Sequence, residues 1–210
     1  MVDTKRPIAA VVVLFNIAAA VIFSGHLALA DQTEQPVLAA ELLIVRDDIR
    51  RLETGDALPP AHRRGLKDRI SGALGLLPWL LRQSGDNAGA DALRGLDSTS
   101  AISQQLDRLI ARHRLDLSPY SADKVTAAQR REARAIHDAY CAGCHDDAGQ
   151  GDEDASLPAR DLYLMATEST PETFLARLIN GVKGDATLLF TNPLTTDQLR
   201  ALWSLYRQGR

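Results

Sequence analysis

The spacing of the apolar residues constrains this chain before anything else does. Leu38, Leu42, Val45, Ile49 and Leu52 step by 4, 3, 4 and 3, which lines them along one face of a helix with 3.6 residues per turn. Leu66, Ile70, Leu74, Leu77 and Leu81 make a second stripe, and Ile102, Leu106, Leu109 and His113 a third. No stretch of useful length alternates apolar and polar residues, so no half-buried strand is encoded. The expected fold is all-α, with a small antiparallel helical bundle over residues 36–115 and a second helical unit over 120–210. The first helix should stop at Thr54-Gly55-Asp56. The second should start after Pro59-Pro60 and reach about Gln83, with Pro78 kinking or breaking it because proline has no amide to donate. Ser84-Gly85-Asp86-Asn87 reads as a turn, and Ser98 or Ser100 as the cap of the next helix. Residues 115–122, with Ser118-Pro119, read as a linker, and Ser121 as the cap of a helix from about Asp123 to Cys141.

Composition sets the outer limits. Of 210 residues, 45% are hydrophobic and 24% charged, enough to build a core and too apolar for a disordered chain. A net charge of -3 and 5% aromatics supply neither the basic footprint nor the stacking surface of a nucleic-acid binder. Two cysteines exclude a disulfide-rich scaffold and a self-contained four-thiolate zinc site. His62 and His113 stand alone in the first segment, which carries no ligand pairing and no nucleophile–base grouping.

Residues 1–30 read as a targeting segment. Lys5 and Arg6 precede a nearly continuous apolar run from Ile8 to Phe23, and Ala28-Leu29-Ala30 gives the small-x-small cleavage pattern before Asp31. The run extended to Ala30 is also long enough to span a bilayer as an uncleaved anchor. In either case the rest of the chain is expected outside the cytoplasmic membrane. The expected location is periplasmic, or tethered to the outer face of that membrane, and membrane contact is expected only if the segment is retained.

Cys141-Ala142-Gly143-Cys144-His145 is the informative stretch, because C-x-x-C-H is the attachment signature for a c-type haem. Two thiols three residues apart on a helical turn lie on one face, where each can add to one vinyl group of a porphyrin. The adjacent imidazole is then placed to ligate the iron from the proximal side. A structural zinc site would need a second ligand pair, and His137 adds only one nitrogen. A thioredoxin-like pair would need a βαβ setting that this helical region lacks. A disulfide between Cys141 and Cys144 is a further reading for an oxidising compartment.

From about Tyr120 to the C-terminus the chain resembles a class I c-type cytochrome domain. The helix before the motif ends Ala139-Tyr140-Cys141, and Gly149-Gln150-Gly151 follows as a loop. Pro158 stands near the family's proline whose carbonyl accepts the proximal histidine Nδ1–H. Pro171-Glu172-Thr173-Phe174 opens a helix ending Ile179-Asn180-Gly181, similar to the family's Ile-x-Asn-Gly element. Thr195 and Gln198 have capping-box spacing at the start of a last helix with Leu199, Leu202, Trp203 and Tyr206 on its apolar face. The resemblance implies one covalently attached haem c, Cys141 and Cys144 as its thioether ligands, His145 on the iron, Pro158 behind His145, and the last helix packed on the motif helix.

The chain departs from the family at one position. Members carry Met-Pro before an aromatic, after the Asn-Gly element, and that sulfur is the second axial ligand. Here Thr187-Leu188 precedes Leu189-Phe190, and a neutral hydroxyl is a poor iron ligand. Thr187 would stand on the distal side. Met165, the one methionine after the export segment, is a core residue or else a displaced sixth ligand. His137, four residues before Cys141, lies towards the proximal side. Without a thioether the reduction potential should fall below that of His/Met cytochromes.

The function so implied is that of an exported monohaem c-type cytochrome passing single electrons between protein redox partners, an electron carrier without a substrate of its own. Asp146, Asp147, Asp152, Glu153 and Asp154 form either a solvated loop or a docking patch for a partner with a basic surface. Two alternatives accompany this reading: an open-site haem that binds a small gas or peroxide, and a haem-carrying accessory subunit docked into a larger redox complex through residues 36–115.

Overall fold

The computed structural model describes residues 36–55, 58–121, 125–146, 156–182 and 192–209. The expected export segment, Thr187 and most of the acidic loop after the motif lie outside them. Every regular element among the described residues is helical, and no helix among them is long and apolar enough to cross a membrane.

The first unit contains α1 (36–54), α2 (Pro60–Gln83), α3 (Asn87–Leu93) and α4 (Thr99–Arg112). Pro60 opens α2, where a missing amide costs nothing. Gly85 closes it at φ 84°, a left-handed conformation that a side chain would resist. Asp86 caps α3 by accepting the Gly89 N–H at 2.7 Å, and Ser98 caps α4 by accepting that of Ala101 at 3.2 Å. Leu38, Leu42, Val45 and Ile49 meet Ile70, Leu77, Leu81, Leu106 and Leu109 in one apolar core. Each of the fully buried leucines contributes about 2 kcal/mol by leaving water.

Pro78 does not end α2. The helix runs through it to Gln83, because Leu77, Leu80 and Leu81 on either side of the proline are buried in the core. Packing of one face holds the turn that the missing amide weakens.

The second unit contains α5 (Ala127–Ile136), a wide π-type turn over His137–Cys141, α6 (Ala142–His145), α7 (Leu162–Glu168), α8 (Pro171–Gly181) and α9 (Thr196–Arg207). The cap of α5 is Thr126 in a reciprocal capping box with Gln129, not Ser121. The expected capping box of Thr195 and Gln198 is formed. Leu199, Leu202, Trp203 and Tyr206 are buried, and α9 packs along α5 and against α7 and α8. Tyr206 is the centre of this core, edge-on to Tyr163 at 5.1 Å and to Phe174 at 5.8 Å.

The segment read as a linker is packed. Tyr120 is 7% exposed, Leu115 and Leu117 lie against the same core, and Arg200 donates to the Pro119 carbonyl at 3.1 Å. More consequential is α1, which belongs to both cores. One face supplies Leu38, Leu42, Val45 and Ile49 to the bundle, while Ala40 and Ile44 join the core of the second unit. Asn180 of α8 donates to the Val37 carbonyl and to Glu41, both at 3.0 Å.

Below these contacts sits a buried charge cluster. Asp47 and Asp48 of α1 are 7% and 1% exposed. Arg177 of α8 reaches both, at 2.6 and 2.9 Å, while Arg69 of α2 and Arg51 also pair with Asp48 and Arg50 pairs with Asp47. Burial alone would raise the Asp47 carboxyl, but hydrogen bonds from Arg177 and Arg50 outweigh it and hold it below the usual range. Burial lowers Arg51 and Arg69, with neighbouring guanidinium groups adding to the effect.

Candidate metal centre

Cys141, Cys144 and His145 occupy the last turn before the chain leaves the motif helix. At relative positions i, i+3 and i+4 they share one side of it. Cys141 is half-buried, Cys144 exposed and His145 partly exposed, and the two thiols are not joined to one another. Tyr140, just before the motif, is 83% exposed.

His145 is oriented from behind. Its Nδ1 lies 2.7 Å from the carbonyl oxygen of Arg160. A carbonyl can only accept, so Nδ1 donates, and in the neutral ring the lone pair on Nε2 is left for an electrophile. The expected acceptor was Pro158, and the structure corrects it to Arg160, two residues further on. Asp161 explains the register. It is 6% exposed and caps α7 by accepting the N–H groups of Tyr163 and Leu164 at 2.8 and 3.1 Å. That cap fixes the backbone next to residue 160, so its carbonyl is the one held against the imidazole. The Arg160 side chain turns away to Glu168 at 2.6 Å.

His137 is occupied on both nitrogens. Nε2 faces the Asp146 carboxylate at 3.2 Å, and Nδ1 faces the Tyr206 hydroxyl at 3.0 Å. In the neutral ring the carboxylate must accept from Nε2–H, so Nδ1 accepts from the Tyr206 O–H. The ring is 2% exposed and stands edge-on to Tyr163 and Tyr206. The Tyr206 hydroxyl also stands close to the Cys141 thiol, behind the motif. Burial pushes the Cys141 thiol up, the neighbouring Tyr206 hydroxyl opposes this, and the Asp146 carboxylate adds to the rise. Burial also raises Tyr206 far above an ordinary phenol, with Cys141 adding to it. The π-type turn over 137–141 carries His137 inward, 2% exposed, while Cys141 at its other end is half-buried.

The remaining expected residues are dispersed. Met165 is 7% exposed within the core that contains Tyr163, Phe174 and Tyr206. His113 is not isolated: its Nε2 lies 2.8 Å from Asp86. Asp146, the described member of the acidic cluster, is turned to His137 rather than outward alone. Thr187 lies outside the described residues. Among the described residues no three His, Cys, Asp or Glu side chains converge as a metal-ligand set.

Sequence reasoning missed the Arg160 carbonyl and the Tyr206 hydroxyl at the site and, away from it, the buried Asp47–Asp48–Arg177 group. The first carries no side-chain signal. The second was read only as part of an apolar face. The third was hidden because buried carboxylates fall outside a hydrophobic pattern.

The donor set fits a covalently held haem in three respects: two unpaired thiols at the attachment spacing, an imidazole fixed through Nδ1 with Nε2 uncommitted, and an acceptor carbonyl that strengthens the imidazole as a ligand. No family model, curated protein or solved structure matches this chain.

Proposed function

We propose that this chain is an exported c-type cytochrome of one haem, carrying single electrons between protein partners. The observation that carries the reading is the His145 imidazole, fixed through Nδ1 by the Arg160 carbonyl one residue after a C-x-x-C pair. Cys141 and Cys144 would hold the porphyrin by thioether bonds, and His145 would ligate the iron through Nε2. Bound in this way, haem c supplies a one-electron iron couple. The protein's own part is to orient that ligand and to keep it a strong donor through the bond to Arg160.

A second reading, an open haem that binds a small gas or peroxide, is favoured by one feature. The side chains most able to close the sixth position are engaged elsewhere: His137 by Tyr206 and Asp146, His113 by Asp86, and Met165 within the core.

A reduced-minus-oxidised spectrum of the purified protein, with and without CO, separates the two. Covalent haem with no response to CO supports simple electron transfer. Rapid, tight CO binding moves the assignment to the open site. Absence of covalent haem, or its persistence in the double variant Cys141→Ala/Cys144→Ala, overturns both.

A further inference from the structure

Gly65, in the first half of α2, is buried where the helix meets the segment after the motif. A Cβ at this position would fall 2.5 Å from the Ser156 carbonyl carbon, nearer still to its oxygen, and 2.9 Å from Leu157 Cγ. The Leu157 side chain is 46% exposed and can rotate aside. The Ser156 carbonyl is backbone, and it can yield only if the segment moves.

Four residues after that contact, the same segment presents the Arg160 carbonyl to His145 Nδ1 at 2.7 Å. It then ends in the Asp161 cap of α7. Residues 156–161 are therefore pinned at both ends, by the bare surface of α2 and by the cap, with the imidazole's acceptor between them. Gly72 and Gly75 lie on the same helix with nothing within 4 Å of a built Cβ, so a small residue is needed at 65 and not along the helix in general.

We infer that Gly65 is a positioning residue for the metal centre. By letting backbone 156–157 approach α2, it sets where the Arg160 carbonyl stands and so how strongly it holds His145 Nδ1–H. The bundle thereby tunes a ligand on the other unit. This inference rests on the haem reading for its consequence at the iron. A weaker bond to Nδ1 leaves the imidazole a poorer donor, which favours the reduced iron and raises the reduction potential.

The test compares Gly65→Ala with Gly72→Ala in the haem-loaded protein, by spectroelectrochemical titration. The potential should shift upward in Gly65→Ala and stay at the wild-type value in Gly72→Ala. Leu157→Ala leaves α2 intact and loosens the same contact, so it should shift the potential in the same direction by less, and it serves if Gly65→Ala does not fold. The second readout is the imidazole N–H resonance of His145 in the haem-free protein, which should move in Gly65→Ala and not in Gly72→Ala. Covalent haem with an unchanged potential in both Gly65→Ala and Leu157→Ala overturns the inference. If the wild-type protein takes up no haem, the proposed function fails and the resonance alone decides the positioning role: identical shifts in Gly65→Ala and wild type refute it.

Discussion

Arg177→Met is the substitution that most directly tests how the two helical units are joined. The wild-type guanidinium makes two charge-assisted hydrogen bonds, at 2.6 Å to Asp47 and 2.9 Å to Asp48, and these carboxylates are 7% and 1% exposed. Methionine keeps much of the stem's packing but removes the charge. Hydrogen bonds to charged groups are worth ~1.5–3 kcal/mol each, and breaking a buried ion pair on one side costs ~3–5 kcal/mol. Asp48 retains Arg69 and Arg51, and Asp47 retains Arg50, so the expected loss is at the lower end, about 3 kcal/mol. With a urea m-value of ~2 kcal/mol/M, the unfolding midpoint should fall by about 1.5 M. Arg50→Met provides the comparison. That side chain is 56% exposed and should cost under ~1 kcal/mol. Urea titration followed by far-UV circular dichroism and by tryptophan fluorescence reads both effects, because Trp79 is on α2 and Trp203 on α9. A loss from Arg177→Met no larger than that from Arg50→Met would refute the reasoning. So would wild-type unfolding in two separate transitions, since a helix shared by both cores should make them melt together.

Asp86→Ala should lower stability by ~1 kcal/mol through loss of the α3 cap. The hydrogen bond from His113, with help from Gly89 and Arg112, holds the Asp86 carboxyl below its ordinary value. Its contribution is therefore full above the ordinary carboxylate range and disappears as pH falls through the depressed folded value, so thermal melts of wild type and Asp86→Ala should converge in acid. Gly72→Ala and Gly75→Ala, at exposed helical sites with open space around them, should each raise stability by ~0.5–1 kcal/mol in thermal melts. Tyr206→Phe should cost ~1–2 kcal/mol, because His137 Nδ1 loses its donor in a site 2% exposed. Equal stability of Tyr206→Phe and wild type by urea titration would show that the hydroxyl bridges nothing.

The apolar stripes were readable because each bundle helix buries one face. Leu38, Leu42, Val45 and Ile49 sit in the core where their spacing put them, and the helix expected after Pro59-Pro60 starts one residue earlier, at Pro60, and ends at Gln83 as expected. The second face of α1 was not readable. Beside Ala40 and Ile44, its contacts run through Asp47 and Asp48, polar residues that a hydrophobic stripe assigns to solvent and that Arg177, 130 residues later, helps to make tolerable inside. The site divides in the same way. The cysteine pair and His145 carry their chemistry in their side chains and could be found from spacing. The acceptor behind His145 is a main-chain oxygen whose position depends on the Asp161 cap and on the fit of Ser156 against Gly65. Pro78 shows the converse, a strong local signal overridden by the burial of its neighbours.

Sharing α1 between two cores also fixes an order of events during synthesis. A chain made from its N-terminus presents Asp47 and Asp48 with Arg50, Arg51 and Arg69 long before Arg177 exists, so the contact of this face with α8 cannot form while the first half alone is available. Both thiols of the motif, at 141 and 144, come between these partners in the chain and are complete before the pairing can form. The joining of α1 to α8 closes a long loop, which is slow in entropic terms. Before Tyr206 of α9 is in place Cys141 is unenclosed, whereas Cys144 stays exposed even in the finished fold.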